Sequence, residues 1–358
     1  MLVSVVMVTV LLVIVAVVVT LTATRCRWQW YCWYLCCNSA SPTNALIQPE
    51  SVHFASPAGL GNVLRGMSSA FCLAHTLGRP LFLLRLGIHV KNVVCVDEFM
   101  RLPMGMSWSS QAPRKPYQYL QPDNVAVVWP LRERFRHLWT GKHKQYATTC
   151  DLHEEGTIRT DLVQQDAPRL VLNAYIALRP HSLSQQEFQK QRVAFYRDGI
   201  RQIWRKRATD LVNSLRTDRG GTNSGSIRII GVHVRCTDNL RDRRKMPNGL
   251  YTTIPEVMQH LQQCTQDSNV RFLVCSDNVA QVKGMFPENV LRVCVFAPLL
   301  ATRQHQPLWE MLLLASTDHI IGATGSTFSY ESAYIGNLSI CLYNRQNGCW
   351  EYHPPPAS

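Results

Sequence analysis

The chain has 358 residues, 46% hydrophobic and 17% charged, the balance of a folded protein rather than a disordered one. Its formal charge of +13 favours an anionic partner: a nucleic acid, a membrane surface or a phosphorylated small molecule. No zinc-finger spacing or RNA-binding signature occurs, which argues against nucleic acid, and the 13 cysteines form no paired CxxC sets, which argues against a zinc site.

Residues 1–21 are an almost unbroken apolar run without a charged side chain. About 20 helical residues cross the hydrocarbon core of a bilayer, and this run exceeds the apolar part of a usual signal peptide. Trp28, Trp30, Tyr31, Trp33 and Tyr34 follow, suited to a membrane interface. Residues 1–22 are therefore expected to be an uncleaved single-pass anchor, with a cleaved signal peptide as the other reading, and residues 23–50 a juxtamembrane stem. That stem holds Cys26, Cys32, Cys36 and Cys37. Arg25 and Arg27 lie after the span and no Lys or Arg precedes it, so charge alone would place the body in the cytoplasm.

The body opens on a strand at 52–55 and a turn, Pro57-Ala58-Gly59-Leu60-Gly61-Asn62. A helix at 63–77 follows, with Leu64, Met67, Ala70, Phe71 and Ala74 at helical spacing, then Gly78-Arg79-Pro80 and a strand at 81–84. Residues 91–179, rich in Pro, Trp and His, show no assignable periodicity. One basic helix is expected over 188–215, and Gly- and Ser-rich 217–226 reads as a linker. Strands at 227–234, 270–275, 291–296, 319–321 and 338–342 then alternate with helices at 254–264, 278–285, 308–316 and 327–335. This alternation predicts an α/β fold with a doubly wound parallel sheet, whose ligands bind beyond the carboxyl ends of the strands. The expected division is 51–216, 217–345 and a tail at 346–358. Asn337-Leu338-Ser339 is a glycosylation sequon expected on a strand.

Three strand-end loops carry candidate chemistry. In the loop 231–238, His233 and Arg235 share one strand face, and Arg235 ends the strand where an anion would sit. The bland alternative pairs Arg235 with Asp238. In the loop 274–278, Asp277 and Asn278 could accept hydrogen bonds from a ribose or a base edge; alternatively Ser276 or Asp277 caps the next helix. In the loop 321–329, glycines and hydroxyl residues precede a helix, a setting where backbone N–H groups meet an anion. The alternative there is an ordinary glycine turn with a serine cap. Neither a GxGxxG fingerprint nor a GxxxxGK[ST] loop is present, which disfavours P-loop kinases and sulfotransferases.

Taken together, these loops resemble the superfamily of α1,2-, α1,6- and protein O-fucosyltransferases. His233-Val234-Arg235-Cys236 is similar to the family's His-x-Arg-Arg motif, with Cys236 where many relatives have a second Arg. Ser276-Asp277-Asn278 resembles its Ser-Asp-(Asp/Asn) motif, Ser326-Thr327-Phe328-Ser329 through Gly336 its carboxy-terminal motif, and Gly59-Leu60-Gly61-Asn62 its amino-terminal loop. The resemblance covers about residues 51–87 and 227–343. It implies a GT-B-like fold, two Rossmann-like domains facing a cleft, and inverting transfer of L-fucose from GDP-fucose to a glycan or glycoprotein hydroxyl. No metal or other cofactor is implied, and no Asp-x-Asp motif occurs.

Carried over, Arg235 would hold the β-phosphate, His233 would line the donor pocket, and Asp277 and Asn278 would meet the nucleoside. Ser326, Thr327 and Phe328 would bind the diphosphate end or the base, and Gly61 and Asn62 would lie across the cleft on the acceptor side. Asp238 and Asp242 are the nearest candidates for a general base, with Glu331 behind them. Family and anchor together imply a Golgi or ER membrane protein with a lumenal body, against the charge bias around the span. Two other readings stand beside this one: a non-catalytic glycan- or nucleotide-binding protein on the same fold, and a GT-B transferase using another nucleotide sugar.

Overall fold

A computed structural model describes residues 50–56, 59–88, 90–110, 118–119, 156–158, 169–172, 177–217, 227–236, 254–265, 267, 269–323, 326–344 and 348–357. The apolar run at 1–21, Asp238 and Asp242 lie outside them. No described helix is long and apolar enough to cross a membrane.

The first half begins with β1 (Ser51–Ser56), α1 (Leu60–Leu77) and β2 (Leu81–Ile88), the β-turn-α-β unit read from the sequence. β1 and β2 run parallel, with Val52 opposite Leu81. α1 ends where Gly78 turns left-handed at φ 64, a conformation open to glycine, and its N–H reaches back to the Ala74 and His75 carbonyls. α2 (Val90–Phe99), β3 (Met106–Ser109), β4 (Gln118–Tyr119), β5 (Gly156–Ile158), β6 (Arg169–Leu172) and β7 (Leu178–Pro180) follow. These occupy the stretch in which the sequence showed no period. A five-stranded sheet has the order β3-β2-β1-β6-β4, and β5 pairs with β7 separately.

The single helix expected at 188–215 is two: α3 (Gln185–Gly199) and α4 (Gln202–Thr217). A reciprocal Ser184/Glu187 capping box starts α3. The break is tertiary in origin. Ile200 leaves helical geometry to bridge Met100, and the Arg201 N–H donates to the Phe99 carbonyl. α4, placed by the sequence in the first domain, also packs on the second half. Ala208 and Val212 are buried there, Arg216 Nη2 lies 2.8 Å from Asp318 Oδ1, and the Arg271 guanidinium donates to the Leu215 carbonyl.

The second half runs β8 (Arg228–Val234), α5 (Ile254–Cys264), β9 (Val270–Ser276), α6 (Val279–Met285), α7 (Glu288–Leu291), β10 (Cys294–Phe296), α8 (Gln306–Ala315), β11 (His319–Ala323), α9 (Thr327–Gly336), β12 (Ile340–Asn344) and β13 (Cys349–His353). Its six-stranded sheet has the order β10-β9-β8-β11-β12-β13 and is parallel except for the last pair. The segment expected to be a tail thus supplies an antiparallel edge strand. Asn337 of the sequon lies in the turn before β12 rather than on a strand, left-handed at φ 49, with Oδ1 accepting from the Ala357 N–H.

Alternation along these strands feeds two cores. Ile230, Val232, Val234, Phe272, Val274 and Ile321 pack beneath α5, α6 and α7. Ile229, Leu273, Ile320, Ile340 and Leu342 point the other way, into one core shared with α8, α9, α1 and the first sheet's Val52 and Phe54. The two halves therefore meet through a common apolar interior. The candidate residues sit at its polar margin, where strands β8 and β9 and the start of α9 converge.

Candidate functional site

β8 is buried along its length, so its alternation dictates which side chains face α9. His233 is on that side. Its ring stacks on Phe328 at 4.5 Å between centroids and 22° between planes. Nδ1 lies 2.8 Å from Ser329 Oγ and 3.4 Å from Ser326 Oγ. Burial, seconded by the Arg235 guanidinium and opposed by Asp277, lowers its pKa from 6.5 to about 3. The ring is neutral at physiological pH: a wall and a hydrogen-bond partner, not a proton donor.

Arg235 follows His233 by one strand period and lies half-buried just past the end of β8. Its neighbour Cys236 is buried and turned into the opposite core, as strand alternation anticipates for the residue replacing a second Arg. The Cys236 N–H donates to Asp277 Oδ1 at 2.6 Å, tying the ends of β8 and β9 together. Asp277 thus meets the His233–Arg235 group. Asn278 acts locally instead, its Oδ1 accepting from the Gln281 N–H at 3.1 Å to cap α6. The helix cap foreseen at Ser276 or Asp277 falls one or two residues later, because the tie to Cys236 occupies Asp277.

Ser326 is the N-cap of α9, accepting from the Ser329 N–H at 3.4 Å. A Cβ on Gly322 would stand 2.5 Å from Ser329 Oγ, so this glycine lets the first turn of α9 approach β11 and delivers Ser329 to His233. Across the seam, a Cβ on Gly61 would lie 2.7 Å from Thr327 Oγ1 and 3.0 Å from the Phe328 N atom. The start of α1 therefore abuts the start of α9. Next to Gly61, the buried Asn62 Oδ1 has no hydrogen-bond partner among the described residues, and neither does Ser56 Oγ at the end of β1. Such atoms cost about 1–3 kcal/mol each when left unmade. The N–H groups at the start of α9 offer donors and a dipole suited to an anion, whereas Asn62 Oδ1 offers an acceptor to a hydroxyl.

Glu331 is not a proton acceptor. It is fully buried, and both oxygens are saturated by Arg65, Arg192 and Tyr196. Burial pulls its carboxyl upward, but the Arg192 and Arg65 guanidiniums outweigh that and hold it below the usual range. One acid outside the candidate loops has the opposite shift. Glu310 on α8 is raised to about 7, chiefly by burial and further by Asp277, against a lowering hydrogen bond from Gln306. Its one cue in the sequence is a lone carboxylate amid the apolar run of α8. Among the described residues, no group of three His, Cys, Asp or Glu is placed to hold a metal ion.

His233, Arg235, Asp277, Ser326, Thr327, Phe328, Gly61 and Asn62 are thus gathered at one margin between the halves. No protein-family model and no curated protein matches the chain. Solved structures do. The NodZ α-1,6-fucosyltransferase soaked with GDP-fucose aligns over 86% of this chain and 100% of its own, at 18% identity and a TM-score of 0.51. NodZ from Bradyrhizobium, and NodZ co-crystallised with GDP, align over the same shares at 19% identity and the same TM-score. The chain shares its fold with these solved fucosyltransferases. In this GT-B-like arrangement the gathered residues lie where a parallel sheet places its ligands, beyond the carboxyl ends of β8 and β9.

Proposed function

We propose that the chain transfers L-fucose from GDP-fucose to a hydroxyl of a glycan or glycoprotein, with inversion and without a metal ion. The observation that carries this reading is the position of Arg235, just past the end of the buried β8 and one strand period beyond His233, whose ring packs on the start of α9 and whose pKa the Arg235 guanidinium helps to lower. The similarity in fold to NodZ, solved with GDP-fucose and with GDP, supports the choice of donor.

Departure of GDP develops charge on the β-phosphate. A fixed guanidinium and preorganised N–H dipoles stabilise that charge without reorganising, and each such donor is typically worth about 10²–10³ in rate. Arg235 supplies the cation, and the first turn of α9 with Ser326 and Thr327 supplies dipoles. His233, neutral and pressed between Phe328 and Ser329, shapes the wall and leaves the phosphate's charge to Arg235. Asp277 meets the nucleoside. Asn62, from the opposite half, places a polar atom on the acceptor side. The acceptor hydroxyl attacks the anomeric carbon opposite the leaving diphosphate and so inverts it. Asp238 or Asp242 takes the hydroxyl proton; Glu331 cannot. Residues 1–22 anchor the body, which we place in the Golgi or ER lumen.

The test is a donor-and-acceptor screen on the full-length protein with EDTA present, product linkage being determined. Fucose transfer from GDP-fucose is expected, and Arg235→Ala should lower turnover by about 10²–10³ while leaving the protein folded. Near-normal turnover by that variant would remove Arg235 from the mechanism. Cys236, standing where a second Arg is common, motivates one other reading, a binding protein without turnover; GDP binding with no transfer to any acceptor would select it. Transfer from a different nucleotide sugar alone would redirect the donor.

A further inference from the structure

The seam between α1 and α9 has two rungs. Gly61 and Arg65 are one turn apart on α1, and Thr327 and Glu331 are one turn apart on α9, so each pair shares a helix face. On the first rung, Gly61 leaves no room for a Cβ against Thr327. On the second, Arg65 Nε donates to Glu331 Oε1 at 2.9 Å, both side chains buried. Arg192 of α3 completes the rung. Its Nη2 reaches Glu331 Oε1 and Oε2, each at 2.8 Å, its Nε donates to Ser68 Oγ of α1 at 3.0 Å, and its guanidinium lies 3.9 Å above the Tyr334 ring. Tyr196 of α3 adds a hydrogen bond to Oε2 at 2.5 Å. Three helices from two halves are joined at one carboxylate. A carboxylate that accepts charge-assisted hydrogen bonds from two guanidiniums and one from a phenol is directional, so it fixes register as well as proximity.

That register matters because of what lies one turn away. The Gly61 end of α1 leads to Asn62, and the Thr327 end of α9 leads to Ser326, Phe328 and Ser329, which hold His233. We propose that the Arg65–Glu331–Arg192 clamp is a positioning device for the proposed transfer: it fixes α1 on α9 so that the acceptor-side loop and the phosphate-side turn are aligned before the donor arrives. Glu331, Arg65 and Arg192 are positioning residues, remote from reacting atoms. The inference rests on the fucosyl-transfer reading for its kinetic consequence but not for its structural one.

The test uses Arg65→Lys in the full-length protein, which keeps the charge and loses the planar guanidinium whose Nε donates to Glu331. Steady-state kinetics with GDP-fucose are measured alongside amide hydrogen exchange of residues 59–66 and 326–332. Misplacement of a site by about 1 Å can cost 10²-fold in rate, so kcat should fall about 10- to 100-fold while KM for GDP-fucose moves less than about threefold. Exchange should quicken in both segments and stay unchanged in α5, on the far face of the second sheet. A clamp of merely structural worth would lower the melting temperature and the active fraction, with kcat per folded molecule unaltered; that result overturns the proposal. So does unchanged exchange in the two segments. Should Arg65→Lys fail to fold, Tyr196→Phe, which removes the hydrogen bond to Glu331 and no charge, is read by the same two measurements, with a smaller effect in the same direction expected. If the wild-type protein transfers no fucose, the exchange comparison alone decides the clamp, and the transfer reading fails separately.

Discussion

Lowering the pH should loosen the site through His233. Its pKa falls from the ordinary 6.5 to about 3 in the folded protein, because burial disfavours the imidazolium and Arg235 repels it. The unfolded chain therefore takes up a proton below pH 6.5 that the native protein refuses until about pH 3. A depressed histidine pKa contributes stability that is fully present above 6.5 and is lost as the pH drops below it. Between pH 7.5 and 4.5 the loss comes to about 3 kcal/mol, two of the available pKa units at 1.36 kcal/mol each. The whole-protein profile will not display it directly. Glu310, raised to about 7, has the opposite linkage: its carboxyl is a liability at pH 7.5 that protonation relieves on the way down, by an amount of similar order. The measurement is therefore a difference. Urea unfolding of wild type and His233→Gln at pH 7.5 and 4.5 should show the variant less stable at the higher pH and the gap closing by about 3 kcal/mol at the lower one. A gap that stays constant to within about 0.5 kcal/mol would mean that His233 titrates in place without penalty, and the neutral-wall role assigned to it would fail.

Glu310→Gln should stabilise the protein at pH 8, by on the order of 1–3 kcal/mol, and lose that advantage by pH 5, where the native carboxyl is already protonated; a urea titration at the two values checks it. Gly322→Ala should force a Cβ to 2.5 Å from Ser329 Oγ, displace the first turn of α9, cost about 1–3 kcal/mol, and weaken GDP binding measured by calorimetry. Binding unchanged from wild type would show that this turn is not part of the donor site.

Legibility in the sequence followed burial. β8 and β9 are nearly continuous apolar runs buried on both faces, so their ends, and with them Arg235 and Asp277, could be placed from the sequence. His233, Ser326, Thr327 and Phe328 came together because strand ends in a parallel sheet share one edge. β4 to β7 were invisible because strands of two to four residues carry too little alternation to stand out. The break at Ile200 has no local signal beyond Gly199, because its cause is a bridge to Met100 a hundred residues earlier. β13 does alternate, with Trp350 and Tyr352 on one face, but a run of five residues carries too little alternation to separate it from the expected tail. The clamp was least legible of all: Glu331 stands 266 positions from Arg65 and 139 from Arg192, and nothing local in α9 distinguishes a buried carboxylate from a solvated one.

The choice of ions at that seam has a physical reason. Desolvating two guanidiniums and a carboxylate is costly, and an apolar cluster of equal volume would commonly hold the same helices at least as firmly. Apolar side chains, however, tolerate sliding, whereas a carboxylate whose two oxygens accept from Arg65, Arg192 and Tyr196 has one arrangement that satisfies all partners.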